Sequence, residues 1–255
     1  MLRIFSWLAA VLLASAGAAS ADIPAGAAPA AVPEADALLD QVVARLPTEP
    51  LQIGGELRSD PRGGKPGRRC QVQLRLEYGA NPPFARYTIM DAFGEDLEQI
   101  TLFRPRQAAV SWHYARGYPL KDAPLPDPRL PVQGTDLTWS DLSLSFLWWR
   151  NARLTGLESV LDRECYEIEA PAPAGEPAPY AAVRMWIDRK YLMLVRAEGL
   201  DPAGRPIRRI AVKSIKKIDE EWMVKDLEIT SLPEKTRTIL QINLVDKPEV
   251  EAAPR

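Results

Sequence analysis

The chain has 255 residues and a nearly balanced charge, with 32 basic and 34 acidic side chains and a formal net charge of −2. This balance excludes a protein-wide positive field of the kind that attracts nucleic acid or an anionic membrane surface. A single histidine and two cysteines leave few ligands for a zinc site. The sequence also lacks a GxSxG elbow, an HExxH motif and a phosphate-binding loop. We therefore predict a protein that is not an enzyme and that uses no cofactor or metal.

Residues 1–21 have the pattern of a secretory signal peptide. A charged start at 1–3 precedes an apolar run at 4–13, and the small residues at 19–21 form a cleavage site. The apolar run is much shorter than the roughly 20 residues that a membrane-spanning helix needs. We predict cleavage after Ala21, a periplasmic mature chain without a transmembrane span, and a loose Ala/Pro-rich leader at 22–33.

A helix and the clearest strand of the chain follow this leader. The apolar residues of ADALLDQVVARL recur at helical spacing, which predicts an amphipathic helix over 35–46. Strands are predicted at 51–59, 68–79, 84–92, 97–104 and 108–115. In the second strand the apolar residues alternate strictly with polar ones and comprise Cys70, Val72, Leu74, Leu76 and Tyr78. One face of this strand should therefore be buried.

A second helix is predicted after a proline-rich loop at 117–134. In GTDLTWSDLSLSFLWW, Thr138 can be the N-cap and Asp141 its reciprocal partner in a capping box. Leu142, Phe146 and Trp149 follow at three- to four-residue spacing. This apolar stripe suits a helix that a curved sheet holds inside itself as a plug.

The remainder of the chain predicts an antiparallel meander. Strands are predicted at 153–161, 163–171, 180–188, 191–200, 207–218, 221–230 and 236–245. In the last strand one face comprises Thr236, Thr238, Leu240, Ile242 and Leu244. The whole pattern predicts a mainly β (α+β) domain of about twelve strands with two or three helices. Its sheet should curl around an apolar concavity, where we expect the function to reside.

Apolar residues on the concave side are the candidate ligand-binding residues, because small-molecule sites are concave and mostly apolar. Strand alternation and aromatic character identify Val72, Leu74, Leu76, Tyr87, Ile89, Trp112 and Trp186 as these candidates. Alternation does not distinguish residues that line a cavity from residues that fill a core, so both interpretations stay open for this set.

The two cysteines also allow two interpretations. In an oxidising compartment Cys70 and Cys165 can form a disulfide. Cys70 is in phase with the apolar residues of its strand, whereas Cys165 is in phase with Glu167. Unpaired buried thiols are common, so the sequence leaves both states open.

The order of these elements resembles a known family. The segments GTDLTWSDL, ECYEIE, VRMWID, RAEGLDPAGRPIRR, KDLEIT and TRTILQINLV carry the resemblance. In this order they resemble the outer-membrane lipoprotein-sorting proteins of the LolA/LolB-like superfamily, in particular a less characterised branch. The resemblance covers 34–246 and is strongest at 134–142 and 186–238. It implies one domain over 34–246, followed by a tail at 247–255.

The resemblance also implies a fold and a ligand class. Such proteins are unclosed β-barrels that are lined with apolar side chains, are covered by helices and hold acyl chains of lipoproteins or other lipids in the periplasm. The expected function is thus a carrier in outer-membrane lipoprotein sorting or related envelope lipid trafficking, with an envelope transport complex as an expected partner. The alternative is a sensing or interaction module like RseB that regulates an envelope system. The functional arginine of the carriers has four candidate positions here, and the sequence assigns none of Arg58, Arg75, Arg86 and Arg104.

Overall fold

The computed structural model describes residues 34–61, 63–64, 66–104, 110–175, 178–218 and 221–246. The predicted signal peptide, leader and tail lie outside these residues. Within the described residues, thirteen strands form one antiparallel sheet in the order β6-β5-β4-β3-β2-β1-β13-β12-β11-β10-β9-β8-β7. The two ends of this order do not pair with each other, so the predicted mainly β, unclosed barrel-like fold is confirmed.

The strand bounds agree closely with the predicted segments. The strands are β1 Leu51–Ser59, β2 Arg69–Glu77, β3 Phe84–Met90, β4 Asp96–Phe103, β5 Ser111–Arg116, β6 Lys121–Asp122, β7 Arg153–Val160, β8 Arg163–Pro171, β9 Ala182–Asp188, β10 Leu194–Leu200, β11 Pro206–Ile218, β12 Glu221–Ser231 and β13 Thr236–Asp246. The short edge strand β6 lies in the predicted loop and accounts for the thirteenth strand. The helices are α1 Ala35–Val43 and α2 Trp139–Leu142, with 3-10 helices at Val132–Gly134 and Ser145–Trp148.

One face of the sheet, here called the inner face, packs against the helices. Across the first strands it is defined by the pairs Leu74 with Ile53 and Leu57 with Leu240. All four side chains are buried in the same hydrophobic cluster, which also contains the apolar side of α1. The inner face is therefore the core of the domain.

The predicted alternation in β13 holds up to Ile242 and then changes face. Gly54 pairs with Leu244 and Gly55 with Ile242, so Asn243 is an extra residue that forms a β-bulge. A bulge shifts the side chains that follow it by one position. Leu244 is consequently 52% exposed, and its predicted place on the buried face is wrong.

The second predicted helix is broken after its first turn. Helix α2 has four residues, and Leu144 then takes a left-handed backbone conformation with φ 47° before the 3-10 helix begins. The hydroxyl of Ser143 donates to the carbonyl oxygen of Ser140 at 3.2 Å. Such local bonds compete with helix continuation, which gives a physical reason for the break. Phe146 remains buried in spite of it.

The N-terminus of α2 has the predicted capping box. The Asp141 amide donates to Thr138 Oγ1 at 3.1 Å, and the Thr138 amide donates to Asp141 Oδ2 at 3.0 Å. Both residues are almost completely buried. The start of α2 is thus specified locally by its own side chains.

Replacement of Thr138 by alanine is expected to lower the free energy of unfolding by about 0.5 to 2 kcal/mol, because the orphaned Asp141 amide loses its acceptor. Urea denaturation followed by tryptophan fluorescence measures the change. Ser140→Ala, two residues into the same segment, is the control and should cost less. Equal losses in the two variants would contradict the assignment of Thr138 as the cap.

Two further predictions concern the described residues. No helix among them is long and apolar enough to cross a membrane. Cys70, in β2, and Cys165, in β8, are both buried free cysteines. Both cysteines are therefore thiols in this structure and do not form a disulfide.

Candidate functional site

The inner face brings together most of the candidate residues from the sequence. Val72 pairs with Ile89 and Leu74 pairs with Tyr87 across β2 and β3. These four side chains, together with Leu76, are at most 4% exposed. They form one continuous apolar surface that is covered by other parts of the chain.

The two tryptophans of the predicted set lie on different faces. Trp112, in β5, pairs with the buried Leu102 and is half-buried on the inner face. Trp186 is on the outer face, because it alternates with Met185, whose partner across the sheet is the buried Ile168. Its indole Nε1 donates to Glu158 at 2.7 Å, and the guanidinium of Arg196 lies 3.7 Å from its ring centroid. Trp186 is nevertheless only 3% exposed and belongs to the same hydrophobic cluster as the other candidates, although its polar partners lie on the outer face.

Residues 135–149, here called the covering segment, lie over the inner face. Trp139, Leu142, Phe146 and Leu147 of this segment are buried in the same cluster as the sheet residues. The segment contains α2 and the second 3-10 helix, and the latter contacts α1. The covering segment thus takes the place that the sequence predicted for an apolar plug.

Hydrogen bonds join helix α1 to the residues that directly follow the covering segment. Arg150 Nη1 donates to Asp40 at 2.7 Å, and the Asn151 and Ala152 amides donate to the Asp36 carboxylate at 3.1 and 2.9 Å. These polar contacts orient α1 beside the segment, while its leucines supply the apolar contact. The inner face is covered by α1 and the segment together.

Buried polar contacts join the start of the covering segment to β13. Asp136 is 4% exposed and accepts hydrogen bonds from Thr236 Oγ1 at 2.6 Å and Thr238 Oγ1 at 3.0 Å. The Asp136 amide donates to Thr238 Oγ1 at 2.9 Å. One aspartate thus joins the segment to the sheet with its side chain and its backbone.

A second aspartate makes a similar connection to β11. Asp141 is 1% exposed and accepts from the Tyr180 hydroxyl at 2.5 Å and from Arg208 Nη1 at 3.2 Å. Arg208 also donates to the carbonyl oxygen of Asp136. Burial and the adjacent Asp141 charge raise the pKa of Tyr180 well above its ordinary value. The tyrosine is therefore a neutral hydrogen-bond donor across the physiological range.

These contacts form one network, here called the latch, which comprises Asp136, Asp141, Tyr180, Arg208, Thr236 and Thr238. Its members come from the covering segment, from a position two residues before β9 and from β11 and β13. Burying charged and polar groups is unfavourable unless they are paired, so the network depends on the segment being closed. The sequence analysis missed it, although Arg208 and Thr238 are polar residues in the apolar phase of their strands.

A third buried carboxylate joins the preceding loop to the sheet at the same end. Glu98, in β4, accepts from the Tyr114 hydroxyl at 2.6 Å and from Gln133 Nε2 at 2.9 Å. Gln133 lies in the first 3-10 helix, directly before the covering segment. A pocket of about 220 Å³ opens beside the latch here. It is lined by Ser59, Asp60, Pro66, Arg68, Gly134, Asp136 and Thr236.

Strand register separates the four arginines that the sequence left equivalent. Arg75 and Arg86 pair with each other, on the face opposite Leu74 and Tyr87. Arg58 follows the inner-face residue Leu57 and so also lies on the outer face. Their side chains cannot reach the inner face through the sheet.

Arg104 alone among these four is in phase with the inner face. It follows Ile100 and Leu102, both buried, at the alternate positions of β4. Its guanidinium lies 3.7 Å from the ring centroid of Trp148, in the second 3-10 helix. The covering segment is thus held by the latch at one end of the sheet and contacts Arg104 at the other.

The comparisons with known proteins agree with this architecture. A family model described as an uncharacterized protein matches residues 125–250, which include the covering segment and the C-terminal meander. No curated protein gives a significant sequence match. The similarities that follow are therefore similarities of structure.

Three solved structures resemble the chain over most of its length. A putative outer membrane lipoprotein-sorting protein domain from Vibrio parahaemolyticus has a TM-score of 0.71 at 11% identity, covering 86% of this chain and 94% of that chain. A DUF1329 family protein from Desulfovibrio piger has a TM-score of 0.69 at 15% identity, with 85% and 92% covered. A LolA superfamily protein from Nitrosomonas europaea has a TM-score of 0.64 at 14% identity, with 86% and 96% covered. These similarities show that the chain has the fold of these three structures, which is the fold that the resemblance in the sequence implied.

Proposed function

We propose that the protein is a periplasmic carrier that binds acyl chains of lipoproteins or of another lipid between the inner face and the covering segment. The fold and the continuous apolar inner face support this role. A solved structure with the same fold is described as a lipoprotein-sorting domain. Its apolar side chains suit an acyl ligand.

The covering segment carries the proposal. Phe146 and Leu147 fill the inner face with apolar side chains, where they are at most 2% exposed. The segment is held there through the side chains of the latch and of Arg104. A segment held in this way can separate from the sheet without breaking a strand ladder. An acyl chain would then replace its apolar side chains on the inner face.

Because the closed state fills the site, ligand binding is coupled to opening. The apparent dissociation constant rises as the fraction of open, binding-competent protein falls. A variant with a weaker latch should therefore bind acyl chains more tightly than wild type. This coupling makes the proposal testable with a substitution that lies outside the apolar surface.

Thr238→Val is expected to tighten binding of a fluorescent fatty acid by about 5- to 30-fold. Valine keeps the shape of threonine but removes its hydrogen bonds to Asp136, at about 1 kcal/mol each. Fluorescence titration of the purified protein measures the dissociation constant, and near-ultraviolet circular dichroism verifies the fold.

Thr230→Val is the matched control. Thr230 pairs with Arg237 and Arg209 on the outer face, so its substitution should leave the dissociation constant within about twofold of wild type, as for surface changes generally. Failure of the wild type and of Thr238→Val to bind any acyl ligand would overturn the carrier proposal.

A sensing module is the second candidate, and two observations favour it. The inner face is filled by the chain itself, and the hairpin tips carry the aromatic side chains Phe93, 92% exposed, and Tyr118, 73% exposed. Exposed aromatic residues are typical of protein interfaces. A protein that binds no lipid but captures an envelope protein through these tips would fit this candidate.

A further inference from the structure

The inner face carries a second polar feature, at the end of the sheet opposite the latch. Tyr87 in β3 is on the inner face, Arg104 directly follows β4, and Tyr78 directly follows β2. Alternation places all three in phase with the apolar inner-face residues. Two hydroxyls and a guanidinium are thus directed to the inner face at this end of the sheet.

The Tyr87 hydroxyl has an unmet hydrogen-bonding capacity. The side chain is 1% exposed, and in the part of the chain that the structure describes its hydroxyl oxygen has no hydrogen-bond partner. Most buried polar atoms in proteins are paired with protein or water. An unsatisfied buried hydroxyl therefore indicates a place where another polar group can bind.

Arg104 supplies a positive charge to the same region. Burial raises the pKa of both Tyr78 and Tyr87, and the Arg104 charge partly opposes that rise in each. The guanidinium is therefore within electrostatic reach of both hydroxyls. Its flat face stacks on Trp148, and a guanidinium recognises carboxylates and phosphates through its N–H groups.

We propose that Tyr87 and Arg104 form a subsite for the anionic headgroup of an acyl ligand, a carboxylate or phosphate at one end of the chain. The inference rests on the proposed carrier function and specifies its ligand class. Arg104 is half-buried at the rim of the inner face, so the headgroup lies at the rim and the acyl chain extends toward Leu74. Displacement of the covering segment moves Trp148 and gives the headgroup access to Arg104.

The subsite predicts a preference for charged over neutral acyl ligands. Hydrogen bonds to a charged group are stronger than neutral ones, which corresponds to about tenfold or more in affinity. Wild type should bind palmitate at pH 8 about tenfold more tightly than methyl palmitate, which has the same chain without the charge. Competition against a fluorescent fatty acid measures both dissociation constants.

Two variants test the assigned residues. Arg104→Gln should bind palmitate and methyl palmitate with about equal affinity. Tyr87→Phe should reduce the tenfold palmitate preference severalfold, because each substitution removes a donor to the headgroup. The readout is the ratio of the palmitate and methyl palmitate dissociation constants in each variant, because a change in covering-segment opening alters both constants by the same factor. Arg86→Gln, on the outer face, is the control and should keep the full preference. Lysophosphatidic acid in the same assay distinguishes a phosphate headgroup from a carboxylate by the tighter of the two affinities.

The possible failures are distinguishable. If wild type binds neither palmitate nor its ester, the carrier proposal itself is wrong. If it binds both equally, or if Arg104→Gln keeps the preference, the carrier stands and the headgroup subsite is overturned. Loss of ester binding in Tyr87→Phe together with a changed circular dichroism spectrum would assign Tyr87 to the core and overturn its part in the subsite.

Discussion

Replacement of Arg208 by methionine is expected to lower the free energy of unfolding by about 3 to 5 kcal/mol, the range observed when one partner of a buried ion pair is removed. Asp141 has a fully buried side chain, and that of Arg208 is 18% exposed. Methionine fills similar space but leaves the Asp141 carboxylate without its cation. Urea denaturation at neutral pH measures the loss.

The control for this prediction is Arg237→Met, in β13. Arg237 and its partner Asp60 have side chains that are 56% and 46% exposed, and exposed ion pairs contribute at most about 1 kcal/mol. A similar small loss in the Arg208 variant would show that the latch contributes little to stability. Covering-segment opening would then have to depend on the apolar contacts alone.

Replacement of Phe146 by alanine is expected to lower the free energy of unfolding by about 3 to 5 kcal/mol, because it leaves a cavity in the core. Phe146 belongs to the covering segment, is 2% exposed and packs against the inner face. If that interface also accepts acyl chains, the cavity adds space for a ligand. Saturating palmitate should then raise the Tm of the variant more than that of wild type, since a ligand that binds only the folded state stabilises it.

Phe93→Ala is the matched control, because Phe93 is 92% exposed at the β3–β4 turn. Its free energy of unfolding should stay within about 0.5 kcal/mol of that of wild type. Palmitate should raise the Tm of Phe93→Ala by as much as it raises the Tm of wild type. A large stability loss in Phe146→Ala without additional stabilisation by palmitate would confirm the core packing. It would also argue that acyl chains do not enter at this position.

Local pattern was sufficient for features whose causes lie close together in the chain. The strands at 51–59 and 163–171 were predicted with the bounds that the structure has, because alternation and turn residues act over a few positions. The capping box of Thr138 and Asp141 was predicted for the same reason, since its partners are three residues apart. The inner-face phase of Val72 and Leu74 followed from the two-residue period of a strand.

Errors arose where a neighbouring strand or a distant segment decides the conformation. The bulge at Asn243 depends on how β13 pairs with β1, and it moved Leu244 to the exposed face. The polar partners of Trp186 also depend on the registers of β8 and β10, and its part in ligand binding stays a prediction. The break at Leu144 lets the covering segment follow the inner face. Distant strands determine the shape of that face, so it cannot be predicted from the segment's own residues.

The sequence by itself determined that this protein is a long antiparallel meander with one apolar face, because side-chain periodicity and turn chemistry are local properties. Only the tertiary structure decided what that face contacts. Asp136 is 102 residues from Thr238, Asp141 is 67 from Arg208 and Gln133 is 35 from Glu98. These partners are far apart in the sequence, and their pairing becomes necessary only when the fold buries them. Likewise, Arg104 differs from Arg58, Arg75 and Arg86 only through strand register, which places a single one of these four charges on the inner face.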